Sequence, residues 1–412
     1  MTTRALIVLL GLVAACGDSS EASDIEGAPA LCEATVCLCT EAGIRAAIEA
    51  GGGPYTFDCD GPTTVVTEAE LVVLRVLDAF PGPGVVLDGQ GQLTIDANGT
   101  HRVLSTSARA TAELRGMTLT GGVSDGDQRA NGAGGIWNRG ELTLVNSVVS
   151  DNTGAGIVNH GTMTLINSTV SGNAAGGIRN STGGGGPDAS GALTLIDSTV
   201  SGNDSISGGG IDNARYAELT LVESVVSGNT SYYGGGISNS GFLTLIDSAV
   251  IDNAANADGG GIATGHPNHA TGYETAIMLV NSTVSENSAG GDGGGIWIRG
   301  CILTVLNSTV SNNSAGFMGG GVYVLLGHAD TALTNAVLAG NTAEAGSGLV
   351  VENDTFHSGA VTMSVSLVAG DCAGEAISSG GYNMESPGDT CGLDGAGDRV
   401  NLHPDDLEPR WP

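Results

Sequence analysis

"GISNSGFLTLIDSAVIDN", residues Gly236 to Asn253, is a short aliphatic phrase that opens on glycine and closes on asparagine. It returns as "GIWNRGELTLVNSVVSDN" at Gly135–Asn152 and as "GIVNHGTMTLINSTVSGN" at Gly156–Asn173. Aligned on the small residue before each "xVS" step, the copies fall at Met117, Ser147, Ser168, Ser198, Ser224, Ser248, Ser282, Ser308, Ala336 and Ser366. Successive anchors lie 30, 21, 30, 26, 24, 34, 26, 28 and 30 residues apart. A period in the twenties with unequal gaps marks a solenoid whose insertions collect at one corner. Five residues after each anchor, from the second copy on, stand Asn152, Asn173, Asn203, Asn229, Asn253, Asn287, Asn313, Asn341 and finally Asp371. That distance holds while the gaps vary, so anchor and asparagine belong to one rigid piece of each coil.

Within a copy the period is two. In Leu193 to Asn203, "LTLIDSTVSGN", the alternation turns Leu193, Leu195, Ser198 and Val200 inward and Thr194, Thr199 and Ser201 toward water. Runs so short and so punctuated by glycine are strands. Each copy supplies about three of them, the "GGGI", "LTL" and "STVS" pieces, and no connection is long enough for a crossover helix. Stacking the copies in parallel register pairs every strand and lays each aliphatic over its equivalent. The fold expected is all-β, a single parallel β-helix. About ten coils at strand spacing give a rod on the order of 50 Å long.

The conserved geometry of the repeat gives its polar residues structural work. A buried asparagine at a corner pairs its amide with backbone groups and with the same amide one coil away, and it tolerates a left-handed backbone. The glycine runs Gly208–Gly210, Gly234–Gly236, Gly259–Gly261, Gly293–Gly295 and Gly319–Gly321 fit a second corner with close approach and positive φ. They lack the "GK[ST]" and following helix of a phosphate loop. Open coil ends invite aggregation and need covers. "CTEAGIRAAIEAGGG" reads as a capping helix, with Thr40 as N-cap, a face of Ile44, Ala47 and Ile48, and Gly51 to Gly53 as the stop. The segment around Cys372 and Cys391 is the expected cover at the far end.

Composition limits the partners. The 412 residues include 69 glycines, carry a formal net charge of −31 and contain 4% aromatic residues. All thirteen basic residues are arginines. Such a field repels nucleic acid and anionic membrane surfaces, so neither is an expected partner.

The first residues give an address. "MTTRALIVLLGLVAAC" has Arg4, an apolar run from Ala5 to Val13 too short to span a bilayer, and small residues before Cys16. This is the layout of a secretory signal, and "VAAC" resembles the bacterial lipobox, which implies lipidation of Cys16. The acidic stretch "GDSSEASDIEGAPA" is the expected tether. Export permits disulfides. Cys32, Cys37, Cys39 and Cys59 allow three pairings, among which sequence does not choose. Cys372 and Cys391 form a second group, and Cys301 is left as a small buried hydrophobe. The expected division is residues 1–15 signal, 16–31 lipidated tether, 32–60 cysteine-rich cap with its helix, 61–371 β-helix, and 372–412 cap and tail.

The "GGGI.N.G.LTL..S.VS.N" repeat resembles the right-handed parallel β-helices of bacterial surface proteins, including the polymorphic outer-membrane-protein type with "GGAI" and "FxxN" signatures. It is most similar to the choice-of-anchor Q group, with "CTEAGIRAAIEA" near the start and "DCAGEAISSGGYN" then "CGLDGAGDRVNLHPDDL" near the end. The likeness spans about residues 32–408. It implies right-handed coils, a disulfide-linked C-terminal cap and a place on the cell surface. Valine or isoleucine replaces the "FxxN" phenylalanine in most coils, and "EPRWP" stands where relatives continue to a sorting element, a task left here to the lipid.

Chemistry along the rod is the rival expectation, since polysaccharide lyases and hydrolases share this scaffold. The position before the anchor serine reads Asn146, Asn167, Asp197, Glu223, Asp247, Asn281 and Asn307, three acids in succession. Stacked at strand spacing, Asp197, Glu223 and Asp247 are candidates for catalysis or for calcium, with no other cofactor expected. The alternative is a solvated turn position where Asn and Asp interchange. No basic column stands beside the acids, and "DD" occurs only at Asp405–Asp406. His266 and His269 are a weak metal pair, the other histidines (His101, His160, His328, His357, His403) are scattered, and Asp258 and Asp292 precede glycine runs in one register. The leading expectation is therefore a monomeric, lipid-anchored, adhesin-like rod in the bacterial outer membrane. It touches the membrane only through its anchor and meets glycan or protein partners along its length.

Overall fold

The computed structural model describes residues 30–74, 84–124, 132–182, 191–264, 275–326, 330–353 and 359–403. Cys16, the tether up to residue 29, His266, His269, His328, His357, Asp405 and Asp406 lie outside them.

Alternation in the sequence becomes stacking in space. Leu142, Met163, Leu193, Leu219, Leu243, Ile277 and Leu303 pair in parallel register from coil to coil, each nearly inaccessible. The column of Leu144, Leu165, Leu195, Leu221, Leu245 and Leu279 runs beside it. Val149, Val170, Val200, Val226, Val250, Val284 and Val310 form a third. Ile136, Ile157, Ile178, Ile211, Ile237, Ile262 and Ile296 form a fourth, on another wall. Four aliphatics per coil, each worth about 1.5–3 kcal/mol on full burial, make one continuous core from Cys37 to Leu393.

The "LTL" and "STVS" strands form a long 26-stranded sheet, and the strands that begin at the isoleucine of "GGGI" form a 12-stranded second sheet. A wall that period-two reading did not anticipate is a 4-stranded sheet of two-residue strands at Thr230–Ser231, Ala254–Ala255, Ser288–Ala289 and Ser314–Ala315. Parallel pairing begins at Val36–Leu38 with Gly52–Asp58 and ends at Leu367–Ala369 with Met384–Ser386, so it reaches past residues 61–371 on both sides.

Corners are set by left-handed residues. Asn146, Asn167, Asp197, Glu223, Asp247, Asn281 and Asn307 all have φ between 47° and 51°. A second left-handed column, Asp151, Gly172, Gly202, Gly228, Asp252, Glu286, Asn312 and Gly340, precedes the ladder asparagines. Only glycine, and less readily Asn and Asp, adopts this backbone cheaply. The glycine runs form the third corner. Gly234 has φ 61°, and a Cβ on Gly235 or Gly236 would lie 2.4 or 2.7 Å from the carbonyl oxygen of Gly260 or Gly261 in the next coil.

The expected asparagine ladder is present. Nδ2 of Asn152, Asn173, Asn203, Asn229, Asn253, Asn287 and Asn313 donates to Oδ1 of the next member at 2.8–3.0 Å, ending at Asn341. In Asn203 the amide is fully used: Oδ1 accepts from both nitrogens of Asn173, and Nδ2 also donates to Val170 O. Asp371 does not extend the row but accepts from the Ser347 hydroxyl and from the amides of Gly346 and Ser347. The anchor serines form their own row: each backbone N–H from Ser147 to Ser282 donates to the next serine's Oγ, and each of these hydroxyls donates to a carbonyl two residues back.

Both ends are covered as expected. Helix α1, Glu41–Ala50, starts at Thr40, whose Oγ1 accepts from Gly43 N, and stops at Gly51. Gly43, Ile44 and Ala47 are buried on the first coil, and Arg45 fastens the helix by donating to Glu41 and to the carbonyls of Ala69 and Glu70. Disulfides join Cys32 to Cys37, Cys39 to Cys59 and Cys372 to Cys391. Cys301 is a buried thiol whose pKa burial pushes up to about 12. In the C-terminal cover the fully buried Glu385 accepts from Thr390 and Cys391 and fixes the turn there.

The ladder is testable at its middle. Asn229→Ala leaves the Asn203 backbone N–H without its acceptor in a dry corner and removes the Nδ2 donations to Asn253 Oδ1 and Val200 O, and an orphaned buried group costs about 1–3 kcal/mol. Urea unfolding is expected to show a loss at least that large. A loss below about 0.5 kcal/mol contradicts the role assigned to the ladder.

Candidate functional site

Asp197, Glu223 and Asp247 are brought together as expected, in one column flanked by the paired Ile196, Val222 and Ile246. Their place is a left-handed corner, and all three side chains are exposed. The same column holds exposed amide pairs elsewhere, Asn167 to Asn146 at 2.6 Å and Asn335 to Asn307 at 2.9 Å. Here the turn geometry explains why Asn and Asp alternate.

Asp258 and Asp292 are turn carboxylates: Asp258 Oδ1 accepts from Asp292 N at 2.9 Å, and Asp292 Oδ1 from Met318 N at 3.0 Å. Among the described residues, no three His, Cys, Asp or Glu side chains are grouped to hold a metal ion.

A concavity arises elsewhere, from a change in coil length. From the ladder asparagine to the second-sheet isoleucine the chain spends five residues at Asn152–Ile157 and Asn173–Ile178, but eight at Asn203–Ile211 and Asn229–Ile237. The three extra residues build an outer ridge that the shorter coils lack. The step leaves a groove of about 440 Å³, with Ala174, Ala175 and Gly176 as floor and Asp204 to Gly208 as wall. Ile206 stands on the ridge with 81% of its surface exposed, and Tyr232, 50% exposed, continues the ridge one coil on by donating its N–H to Ile206 O at 3.2 Å. Asp204 is held by the Thr230 hydroxyl at 2.6 Å.

Charged side chains enter from the second sheet. Its outward positions stack Trp137, Val158, Arg179, Asp212 and Ser238. Arg179 Nε lies 3.6 Å from Asp212 Oδ2, and both line the groove. Burial pushes the Asp212 carboxyl up from its ordinary value, and Arg179 opposes that without cancelling it. Nearby, Trp137 donates to His160 at 3.3 Å and carries the guanidinium of Arg139 over its ring at 4.3 Å and that of Arg102 at 5.1 Å. Burial, with Arg179 and Arg139 adding to it, lowers the His160 pKa, which favours a neutral ring. Arginines 102, 139 and 179 thus gather along one face of a strongly acidic chain.

Reading the sequence in the serine register missed both this strip and a second ladder. Nδ2 of Asn138, Asn159, Asn180 and Asn213 donates to Oδ1 of Asn159, Asn180, Asn213 and Asn239 at 2.7–2.9 Å. The signal was present in "GIWN", "GIVN", "GIRN", "GIDN" and "GISN", whose third letter is the outward column.

No family model matches the chain, and no curated protein matches it in sequence. Among solved structures it is similar to the A-module of Azotobacter vinelandii mannuronan C-5 epimerase AlgE4, at 14% identity and a TM-score of 0.40 over 88% of this chain and 93% of that one. It is also similar to the AlgE6 A-module from the same organism, at 13% identity and a TM-score of 0.43 over 88% and 90%.

The Asp212 shift has a sign that melting experiments can read. A carboxyl raised by folding gives stability that is full below the ordinary carboxylate range and is lost as pH rises through the folded value. Asp212→Asn removes that loss. It is expected to melt above the parent at neutral pH and to converge with it in acid; a gap independent of pH contradicts the shift.

Proposed function

We propose that this chain is a non-catalytic rod of the bacterial cell surface, held in the outer membrane by a lipid on Cys16, that meets glycans or proteins along its flanks. One observation carries the non-catalytic part: Asp197, Glu223 and Asp247 stand exposed on a left-handed corner. Acid–base work on a glycosidic bond needs two carboxylates facing across a bound sugar in a site that shifts one of them. The three acids are stacked side by side in one exposed column rather than set across a cleft from one another.

The buried polar groups of the rod support the same reading. Asparagine and serine rows are consumed in holding coil to coil, so the outward chemistry is that of the threonines, the corner acids and amides, and the strip of Arg179 and Asp212. Repeated shallow surfaces of this kind suit contacts that are weak singly and add up along a rod. The signal-like segment before Cys16 and the acidic stretch after it support export and tethering. Among the described residues, no helix is long and apolar enough to cross a membrane.

Two experiments test the two halves. Incubation with neutral and acidic oligosaccharides, with and without calcium, is expected to yield no product from either the parent or Asp247→Ala. Calcium-dependent cleavage, β-elimination or epimerisation that is lost in the variant replaces the rod with a polysaccharide lyase, hydrolase or related enzyme. In cells fed labelled palmitate, the parent is expected to take up label and Cys16→Ser to lose it; equal labelling removes the anchor.

A further inference from the structure

The groove at the coil-length step has features that a surface rod does not need for its own stability. Core columns, asparagine rows and caps hold the coils together without it. Ile206 is a large apolar side chain presented to water where the neighbouring register position is Tyr232, also half exposed. Beside this ridge, Arg179 spends one donor on Asp212 at 3.6 Å, longer than a hydrogen bond, with side-chain exposures of 46% and 27%. A guanidinium has five N–H donors and a carboxylate several acceptor sites, so much of the pair's capacity faces the groove. The volume, about 440 Å³, falls among those of small-ligand sites.

We propose that this groove binds a neutral glycan, with Arg179 donating to and Asp212 accepting from neighbouring hydroxyls of one sugar ring, and with Ile206 packed along the ring's apolar face. The assignment rests on the rod reading and supplies its contact point. Charge selects the class. The groove walls carry Asp204 and Asp212 against Arg179, on a chain of net charge −31, so a carboxylated sugar meets repulsion both locally and at long range. A neutral ring offers donors to Asp212 and acceptors to Arg179 without breaking their pairing. An apolar platform beside a small set of directed polar groups is the usual division of labour in such sites.

Titration calorimetry on the full chain in detergent tests this, with cello-, manno-, malto- and chitotetraose as neutral probes and tetragalacturonate as the acidic one. At least one neutral probe is expected to bind, and tetragalacturonate to bind more weakly or not at all. Ala175→Trp, which fills the exposed floor, is expected to abolish binding, whereas Thr304→Ala, on the outer face of the long sheet, leaves it unchanged. Should Ala175→Trp fail to fold, Ile206→Ser and Asp212→Asn give the same reading, each expected to weaken binding roughly three- to ten-fold. Absence of binding by every neutral probe overturns the proposal, as does preference for tetragalacturonate. Binding that survives Ala175→Trp and Ile206→Ser overturns the groove while leaving the surface rod standing. Turnover of a bound probe overturns the rod reading itself.

Discussion

A polar group shut into a dry corner must find its partner in the neighbouring coil. That demand organises the molecule. Asn203 Oδ1 finds its donors on Asn173, and its Nδ2 finds an amide acceptor on Asn229, because the three occupy one position in successive coils. The same dependence holds for the serine row and for the second asparagine row starting at Asn138. Aliphatic columns supply most of the driving force, but hydrophobic contact is non-directional and would tolerate a slipped register. The amide rows would not, because a one-residue slip leaves several buried groups unpaired at once.

Rigid register frees the connections between fixed points to vary. The "LTL" to asparagine segment is the same length in nearly every coil, while the path from ladder asparagine to the second sheet is five residues in two coils and eight in the next two. Where that path lengthens, a short outer wall appears at Thr230–Ser231 and continues to Ser314–Ala315. Where it is short, the wall is missing and the side chains of the second sheet are laid open. The groove with Arg179 and Asp212 is a product of that difference in length. Surface chemistry here follows from insertion and omission on an otherwise uniform frame.

The fold was legible because its signal repeats at a constant internal distance. Anchor serine and asparagine are always five apart, so Asn152 to Asn341 could be assigned to one buried row from the sequence. Asn138, Asn159, Asn180 and Asn213 escaped because their distance to the next anchor serine varies, 9 residues in the first two cases, then 18 and 11. The pairing of Arg179 with Asp212 depends on that hidden register and was invisible for the same reason. The acid column was placed correctly, one residue over the next, yet stacking did not disclose its setting. Whether Glu223 points into a cleft or stands on an outside corner depends on the backbone sense at that residue, φ 50°. A sequence shows that Asn and Asp interchange there but not which way the turn opens.

Both asparagine rows run in one sense. From Asn152 to Asn341 and from Asn138 to Asn239, one Nδ2 hydrogen of each amide points to the next member, toward the C-terminal end. Side-chain dipoles aligned head to tail do not cancel, so the interior carries two parallel electrical filaments, positive toward the cap that holds Cys372 and Cys391. A carboxylate, Asp371, takes the next place after the longer filament; burial raises its pKa, but the hydrogen bonds from Ser347, Gly346 and its own amide together hold it below its ordinary value. Anion at the positive terminus is the arrangement that helix ends also favour. The two tips of the molecule are thereby electrically unlike, although the coils between them are nearly interchangeable.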